Sequence, residues 1–270
     1  MSQPDDRRKL SEPVADRSAP LVEIYRKMFE AIPADTPELL NAAFRLRYQV
    51  YCVENSFLDV ADNPGGLETD QHDRHSRHAL LVHRTSRAVV GTTRLVLPRL
   101  GPVSGRLPLY EVCPRAMRIL PPDSTAEFSR FAVSKQFRRR VGDELYGKAY
   151  DPDELSGDHR RAIPHITLGL MAVALQLARD HGIDHVCAIM EPALLRLLRR
   201  FGIRFTPIGP MLEYHGLRQP CYAEIDELLA NVEAERRDVW EVITDCGRNW
   251  SPAWVASPAT LCTRARELVG

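Results

Sequence analysis

Nine side chains in the first half of the 270-residue chain have the types and spacing to do chemistry: Arg47, Tyr51, Glu68, Asp70, Asp73, Arg94, Glu127, Ser129 and Arg130. Seven of the nine are formally charged, and Glu127, Ser129 and Arg130 interrupt an apolar run, A-E-F-S-R-F-A-V, that otherwise reads as a buried strand. A charge inside such a strand is expensive unless it is paired. This placement points to a polar site, where a carboxylate can accept a proton and an arginine can hold a carboxylate by two parallel hydrogen bonds. Glu127 is the candidate base, and Arg94 and Arg130 are the candidate carboxylate holders. The competing reading of Arg47, Glu68, Asp70, Asp73 and Arg94 is an ion-pair network that orders a loop.

The elements that must position these residues are legible in outline. Thr36-Pro37-Glu38 starts a helix, with Thr36 as N-cap and Pro37 at the first helical position, and it launches L-L-N-A-A-F-R-L-R-Y-Q-V-Y. Arg47 and Tyr51 then lie one turn apart on one face. A polar loop from Phe57 to Arg77 carries P-G-G and the acids Glu68, Asp70 and Asp73, and its length suits a lid or binding loop. A-L-L-V-H-R and A-V-V-G-T-T-R-L-V-L-P flank the turn Thr85-Ser86-Arg87 as an antiparallel hairpin, with Arg94 on its second strand. A Pro-rich linker with a short helix leads to a third strand at Thr125 to Val133, followed at once by the basic stretch K-Q-F-R-R-R-V-G. The amphipathic segment I-T-L-G-L-M-A-V-A-L-Q-L-A-R-D-H-G predicts a helix ended by Gly182, then H-V-C-A-I-M a strand, and Pro192 opens another helix. I-R-F-T-P-I-G-P and C-Y-A-E-I supply the last two strands. Residues 1–19 read as a disordered leader, and residues 226–270 as a helical tail.

Composition narrows the function classes. Lys+Arg and Asp+Glu are both 36, so no net charge recommends a nucleic acid or an anionic membrane as partner. The six cysteines are scattered without a C-x-x-C pair, which suggests neither a zinc site nor a disulfide framework. His72, His75, His78 and His83 cluster near acids, but they alternate between loop and strand and need not share a face, so no metal site is expected. The N-terminus has no apolar signal region and no stretch approaches a membrane span, so a cytoplasmic protein with reduced thiols is expected.

The order helix, hairpin, strand, basic turn, helix, strand, helix, hairpin around one mixed sheet, with R-R-R-V-G after a central strand, resembles the GNAT acyltransferase fold. The expected class is therefore α/β (α+β), a mixed central sheet flanked by helices, with residues 20–225 as the acyltransferase domain. In that fold the turn after the strand carries an R-x-x-G-x-G/A phosphate loop on a helix N-terminus. Here Arg139, Arg140, Val141 and Gly142 give R-x-x-G, and Glu144 replaces the final small residue.

R-x-x-x-Y at Arg47 and Tyr51, the aromatic Phe57, E-x-D-x-x-D at Glu68, Asp70 and Asp73, G-x-x-R at Gly91 and Arg94, and E-x-S-R at Glu127, Ser129 and Arg130 resemble the signature of the acyl-homoserine lactone synthases. Phe57 stands where those enzymes carry a tryptophan. The second half, with M-E-P-A-L-L-R-L-L-R-R-F-G-I-R-F and H-G-L-R-Q-P-C-Y-A, is similar to the acyltransferases associated with PEP-CTERM/exosortase systems, which group with N-acyl amino acid synthases.

The resemblance implies an N-acyltransferase that moves a fatty acyl group from acyl-carrier protein, or from coenzyme A, to the amine of an amino acid or similar small molecule. Its cosubstrate would be an acyl-phosphopantetheine, with no tightly bound cofactor. Catalysis would fall to Glu127, Ser129 and Arg130, and substrate binding to Arg47, Tyr51, Phe57, Glu68, Asp70, Asp73 and Arg94. Donor binding would fall to Phe131, Ala132, Val133, Arg138, Arg139, Arg140 and Gly142, with backbone N–H groups near Phe131 and Ala132 as an oxyanion hole. Lys135 and the three arginines would meet the phosphate arm and an acidic carrier protein. Leu168, Leu170, Met171, Val173, Ala174, Leu175 and Leu177 are candidates for an acyl tunnel, although such a stripe is more often helix core. The alternatives are an acyl-homoserine lactone synthase, a short-chain acetyltransferase, or a non-catalytic acyl-ligand sensor.

Overall fold

Thr36 starts its helix as its residue type requires: the side-chain oxygen accepts a hydrogen bond from the Leu39 N–H, and Pro37 occupies the first turn. The computed structural model describes residues 20–98, 107–135 and 165–250. Its elements are α1 (Leu21–Met28), β1 (Phe29–Pro33), α2 (Pro37–Tyr48), β2 (Ser76–His83), β3 (Val89–Val96), α3 (Pro108–Val112) and β4 (Thr125–Val133), followed by α4 (His165–Asp180), β5 (His185–Met190) and α5 (Pro192–Arg200). The short β6 (Thr206–Pro207) and β7 (Leu212–Glu213), then β8 (Leu217–Glu224), α6 (Ile225–Glu235) and α7 (Arg237–Ile243), complete the described chain.

The strands form one sheet in the order β1-β2-β3-β4-β5-β8-β6, with β7 paired to β8. Every neighbouring pair is antiparallel except β4 and β5, so the sheet is mixed and the fold class is the expected one. Period-two alternation sends Leu80 and Val82 of β2 toward α2, and Ala79 and Leu81 toward α4. Both faces are thus covered in the hairpin region. α4 ends where predicted, at Gly182 with φ +67°, where the Gly182 and Ile183 N–H groups bond back to the Arg179 and Ala178 carbonyls.

Three features were not expected. The segment before Thr36 forms α1 and the edge strand β1. The last hairpin is dominated by β8, with only two residues each in β6 and β7, because Pro207 and Gly209-Pro210 cut the pairing short. The segment expected as a tail holds α6 and α7, whose Leu228, Leu229, Val232, Val239, Trp240 and Ile243 pack into the main core beside α4 and α1.

Two irregularities position the site. After Tyr48, α2 widens into a π-helical turn over Gln49–Glu54, the kind of insertion that re-aims side chains at functional sites. In β4, Ala132 pairs with Thr92 and Ser129 with Arg94, so two β4 residues face the single Thr93: a bulge, with Arg130 at φ +50°. The extra residue reverses the alternation. Ala126 and Phe128 pack on the α4 side before it, and Phe131 and Val133 do so after it.

Candidate functional site

The three arginines and three acids of the first-half set close on one another. Arg47 Nε donates to Glu68, and its Nη1 and Nη2 reach the two oxygens of Asp73 at 2.8 and 3.2 Å. Arg94 Nη1 bonds Asp70 at 2.6 Å and Asp73 at 2.7 Å, while its Nε donates to Ser129 Oγ at 2.9 Å. Arg130 spans Glu68 and Asp70 through Nε and Nη2. Asp70 and Asp73 also accept the His72 and Asp70 N–H groups, and the Glu68 N–H bonds the Phe44 carbonyl, which ties the acidic loop to α2. Charges within this set balance three against three.

Burial pushes the Glu68, Asp70 and Asp73 carboxyls up, but the arginines beside them hold all three below the usual carboxylate range. A folded-state value below the unfolded one means that this pairing stabilises the fold above the usual carboxylate range and that the contribution is lost as pH falls below it. Arg47 is fully buried and is a brace, not a surface for substrate. Arg47→Met leaves two buried carboxylates short of a partner and is expected to destabilise the protein by about 3–5 kcal/mol. Urea unfolding of the variant measures this directly, and a loss below about 1 kcal/mol would mean that the network does not hold the loop.

Beside this brace the sheet opens. The parallel pairing of β4 with β5 ends at Glu127 and Cys187, although β4 runs on to Val133 and β5 to Met190. The wedge holds a cavity of about 610 Å³. Glu127, Ser129, Arg94 and Arg130 line its polar part, together with Tyr51 and Phe57 from the π-turn and the loop after it. Phe131, Val133, Ile166, Met171, Leu194 and Leu197 line its apolar part, and Tyr214 and His215 of the β7–β8 turn, with Arg218 at the start of β8, close a side.

Glu127 differs from the other acids. Among the described residues no arginine bonds it; its Oε2 accepts the Leu109 N–H at 2.7 Å from the start of α3. Burial pushes its carboxyl up to about 8, against the pull of that N–H and of the Arg94 and Arg130 charges. A carboxyl poised near neutral pH in a cavity is suited to accept a proton. Cys52, Cys113, Cys187 and Cys221 are buried and none lines the cavity, and burial raises the Cys187 and Cys221 thiols, so none of these offers a thiolate nucleophile.

Of the residues singled out in the sequence, Tyr51, Phe57, Arg94, Glu127, Ser129, Arg130, Phe131 and Val133 meet at the cavity. Arg47, Glu68, Asp70, Asp73 and Ala132 do not line it; Ala132 packs with Leu46 and Val50 under α2. The guanidiniums of Arg94 and Arg130 are held by internal acids, which removes them as ready holders of a substrate carboxylate. Arg138, Arg139, Arg140 and Gly142 lie outside the described residues. Of the α4 stripe, only Met171 lines the cavity, since Leu168, Leu170, Val173, Ala174, Leu175 and Leu177 pack in the cores.

His78, one of the four histidines that lie near acids in the sequence, is pushed down to about 4 by burial and by the Arg47 charge, and it packs edge-on to Phe44. Among the described residues no group of three or more His, Cys, Asp or Glu is arranged to hold a metal ion, and no helix is long and apolar enough to cross a membrane. Sequence reasoning missed Glu191, Tyr214, His215 and Arg218 as cavity residues. The signal available was the pair of motifs M-E-P and H-G-L-R-Q-P-C-Y-A, which contain Glu191, His215 and Arg218 but were not read as site residues.

Residues 46–147 match the family model of the acetyltransferase (GNAT) domain. The chain carries a GNAT acetyltransferase domain. That domain makes the protein an N-acyltransferase of the GNAT kind, and the matched segment contains α2's end, the acidic loop, the hairpin and all of β4.

Two solved structures, BjaI and MesI, share the fold at TM-scores above 0.5. The CoA-dependent acyl-homoserine lactone synthase BjaI, solved with SAM and isopentyl-CoA, is 24% identical over 83% of this chain and 90% of its own, with a TM-score of 0.52. MesI, another CoA-dependent acyl-homoserine lactone synthase, is 22% identical over 78% of this chain and 94% of its own, with a TM-score of 0.51. FeeM, an N-acyl amino acid synthase from uncultured soil microbes, is 18% identical over 77% and 97%, with a TM-score of 0.48. No protein of curated function matches the sequence.

Proposed function

We propose that the protein transfers a fatty acyl group from an acyl-phosphopantetheine thioester, carried by acyl-carrier protein or by coenzyme A, to the amine of an amino acid or similar small molecule. The observation that carries this reading is a single cavity in which a proton acceptor near neutral pH, Glu127, shares a wall with an apolar compartment between β4, α4 and α5. The amine enters the polar part, and the acyl chain lies along Phe131, Met171, Leu194 and Leu197. The edge of β4 beyond Glu127 has no strand partner on the β5 side among the described residues. An extended amide chain such as phosphopantetheine can add along such an edge.

The residues do the rest of the chemistry without an acyl-enzyme. Glu127, directly or through a water, takes the ammonium proton; the free amine attacks the thioester carbonyl, backbone N–H groups near Phe131 receive the oxyanion, and collapse of the intermediate forms the amide and breaks the C–S bond, the phosphopantetheine thiolate leaving with the second proton given up by the nitrogen. The internal brace holds Ser129 through Arg94 and fixes the strained Arg130, so the bulge keeps its shape. BjaI, solved with isopentyl-CoA, is an instance of a coenzyme A bearing a branched alkyl chain bound in this fold.

The reading is tested by mixing octanoyl- and palmitoyl-acyl-carrier protein, and the matching CoA thioesters, with pooled amino acids. Thiol release and mass spectrometry of the products are followed together. Acceptor-dependent thiol release with an N-acyl amino acid product is expected. Saturable binding of the thioesters with no release would replace the enzyme by a ligand sensor.

A further inference from the structure

We propose that Arg218 holds a free carboxylate on the acceptor, so that the site selects amino acid-like molecules over simple amines. The inference rests on the acyl-transfer reading above and assigns the role that the internal acids deny to Arg94 and Arg130.

Among the described residues, the lysine and arginine side chains around the cavity are Arg94, Arg130, Lys135 and Arg218. Arg94 and Arg130 are each bonded by two of the acids Glu68, Asp70 and Asp73, and neither keeps its Nε–Nη2 edge free, because Arg94 Nε donates to Ser129 and both Nε and Nη2 of Arg130 donate to Glu68. Lys135 is exposed and its Nζ is taken by the Glu54 carbonyl and the Asn55 side chain. Arg218 is different, because its two contacts, the Glu191 carboxylate at 3.2 Å and the Leu217 carbonyl at 3.2 Å, both use Nη1. Among the described residues nothing bonds its Nε or Nη2. That pair forms one edge of the guanidinium, the edge that takes a carboxylate by two parallel hydrogen bonds.

The side chain is also held in place. Its guanidinium lies 5.4 Å from the centre of the Phe57 ring, a distance at which the ring face attracts the cation. On the other side Gly216, at φ +97°, makes room: a Cβ there would come within 3.1 Å of Arg218 Nη1. The side chain is 14% exposed, whereas that of Glu191 is 48% exposed. Glu191 therefore contributes a weak, water-screened pair and anchors the charge without filling its binding edge. A zwitterionic acceptor then finds a proton acceptor for its ammonium at Glu127 and a cation for its carboxylate at Arg218, both lining one cavity.

The experiment uses the full chain, a palmitoyl or octanoyl thioester donor, and the protein amino acids, each supplied as free acid and as carboxamide. The wild type is expected to show a specificity constant about ten- to a hundredfold higher for an accepted free acid than for its carboxamide, the scale of a lost charged hydrogen bond. Arg218→Met should raise the acceptor KM by that factor, leave the donor KM unchanged and bring the acid-to-carboxamide ratio near one. Arg218→Lys should restore part of the ratio, which a loss of folding would not do. An unchanged ratio in Arg218→Met, or a rise confined to the donor KM, overturns the inference. So does equal acylation of acids and carboxamides by the wild type, which leaves acyl transfer standing, while absence of thiol release with every acceptor of both sets overturns the acyl-transfer reading itself and the inference with it.

Discussion

Glu127→Gln lowers turnover by about a hundredfold or more and leaves the fold intact. The factor is the usual scale for losing a positioned base. Glutamine keeps the shape and can still accept the Leu109 N–H bond through its amide oxygen, so the packing around α3 has no reason to change. What it loses is the capacity to take a proton. In the wild type, kcat/KM should rise with pH through about 8 as the carboxyl loses its own proton and becomes a base. An amine acceptor also gains reactivity on deprotonation, so the diagnostic is the difference between the two profiles: the limb centred near 8 is absent in the variant. A folded Glu127→Gln enzyme with near-normal turnover at pH 8 would remove Glu127 from the base role.

The same carboxyl makes an opposite prediction for stability. Its folded-state value lies above its unfolded one, so between the two the folded protein holds a proton that the unfolded chain has released. The stabilising contribution is complete below the usual carboxylate range and is lost as pH rises through about 8. Above that, a buried charge that no arginine bonds among the described residues remains. Glu127→Gln should therefore raise the melting temperature at pH 9 and change it little at pH 5. A residue whose removal improves the fold and abolishes the reaction is difficult to read as structural.

What could be read from the residues depended on the range of the interactions. Thr36 and Pro37 mark a helix start through bonds made within one turn, and the apolar runs flanking Thr85-Ser86-Arg87 mark a hairpin through a short local turn, so both were legible. Glu127 was legible because a carboxylate in an apolar strand has few bland explanations. The bulge at Arg130 was not, because it appears only when β4 is laid against β3 and two residues are found facing Thr93. That one insertion decides that Phe131 and Val133 face the cavity side and that Ala132 does not. The π-turn after Tyr48 has the same character: Arg47 and Tyr51 were rightly placed one turn apart, but Arg47 is sunk among the acids while Tyr51 reaches the cavity. Arg218 was invisible for a third reason. Its role depends on which other arginines are already paired, and pairing across Arg94, Arg130 and the acidic loop is a property of the folded network alone.

The donor chain is expected to be long, and this is the largest effect predicted for the enzyme. The cavity's apolar part is built from β4, α4 and α5, with Phe131, Ile166, Met171, Leu194 and Leu197 offering hydrocarbon to whatever lies between them. Each methylene moved from water into such surroundings contributes about 0.8 kcal/mol, so about ten more methylenes than acetyl could contribute up to roughly 8 kcal/mol. Ordering a flexible chain offsets part of that. The remainder still rivals the roughly 3–5 kcal/mol implied by a general base, so the walls of the cavity and not the proton acceptor should decide which thioester reacts. The wild type should prefer octanoyl or palmitoyl donors over acetyl by at least about two orders of magnitude in kcat/KM, on one and the same carrier. Glu127→Gln should slow all donors alike and keep their order, because base and chain act at different ends of the cavity. Met171→Trp should fill part of the apolar space and shift preference toward the shorter of the two long chains, with the acceptor KM unaltered. Specificity constants for acetyl, octanoyl and palmitoyl thioesters decide the matter: a preference for acetyl would show that the apolar compartment holds no chain, and the protein would stand as a short-chain acetyltransferase whose wedge serves only to admit the carrier arm.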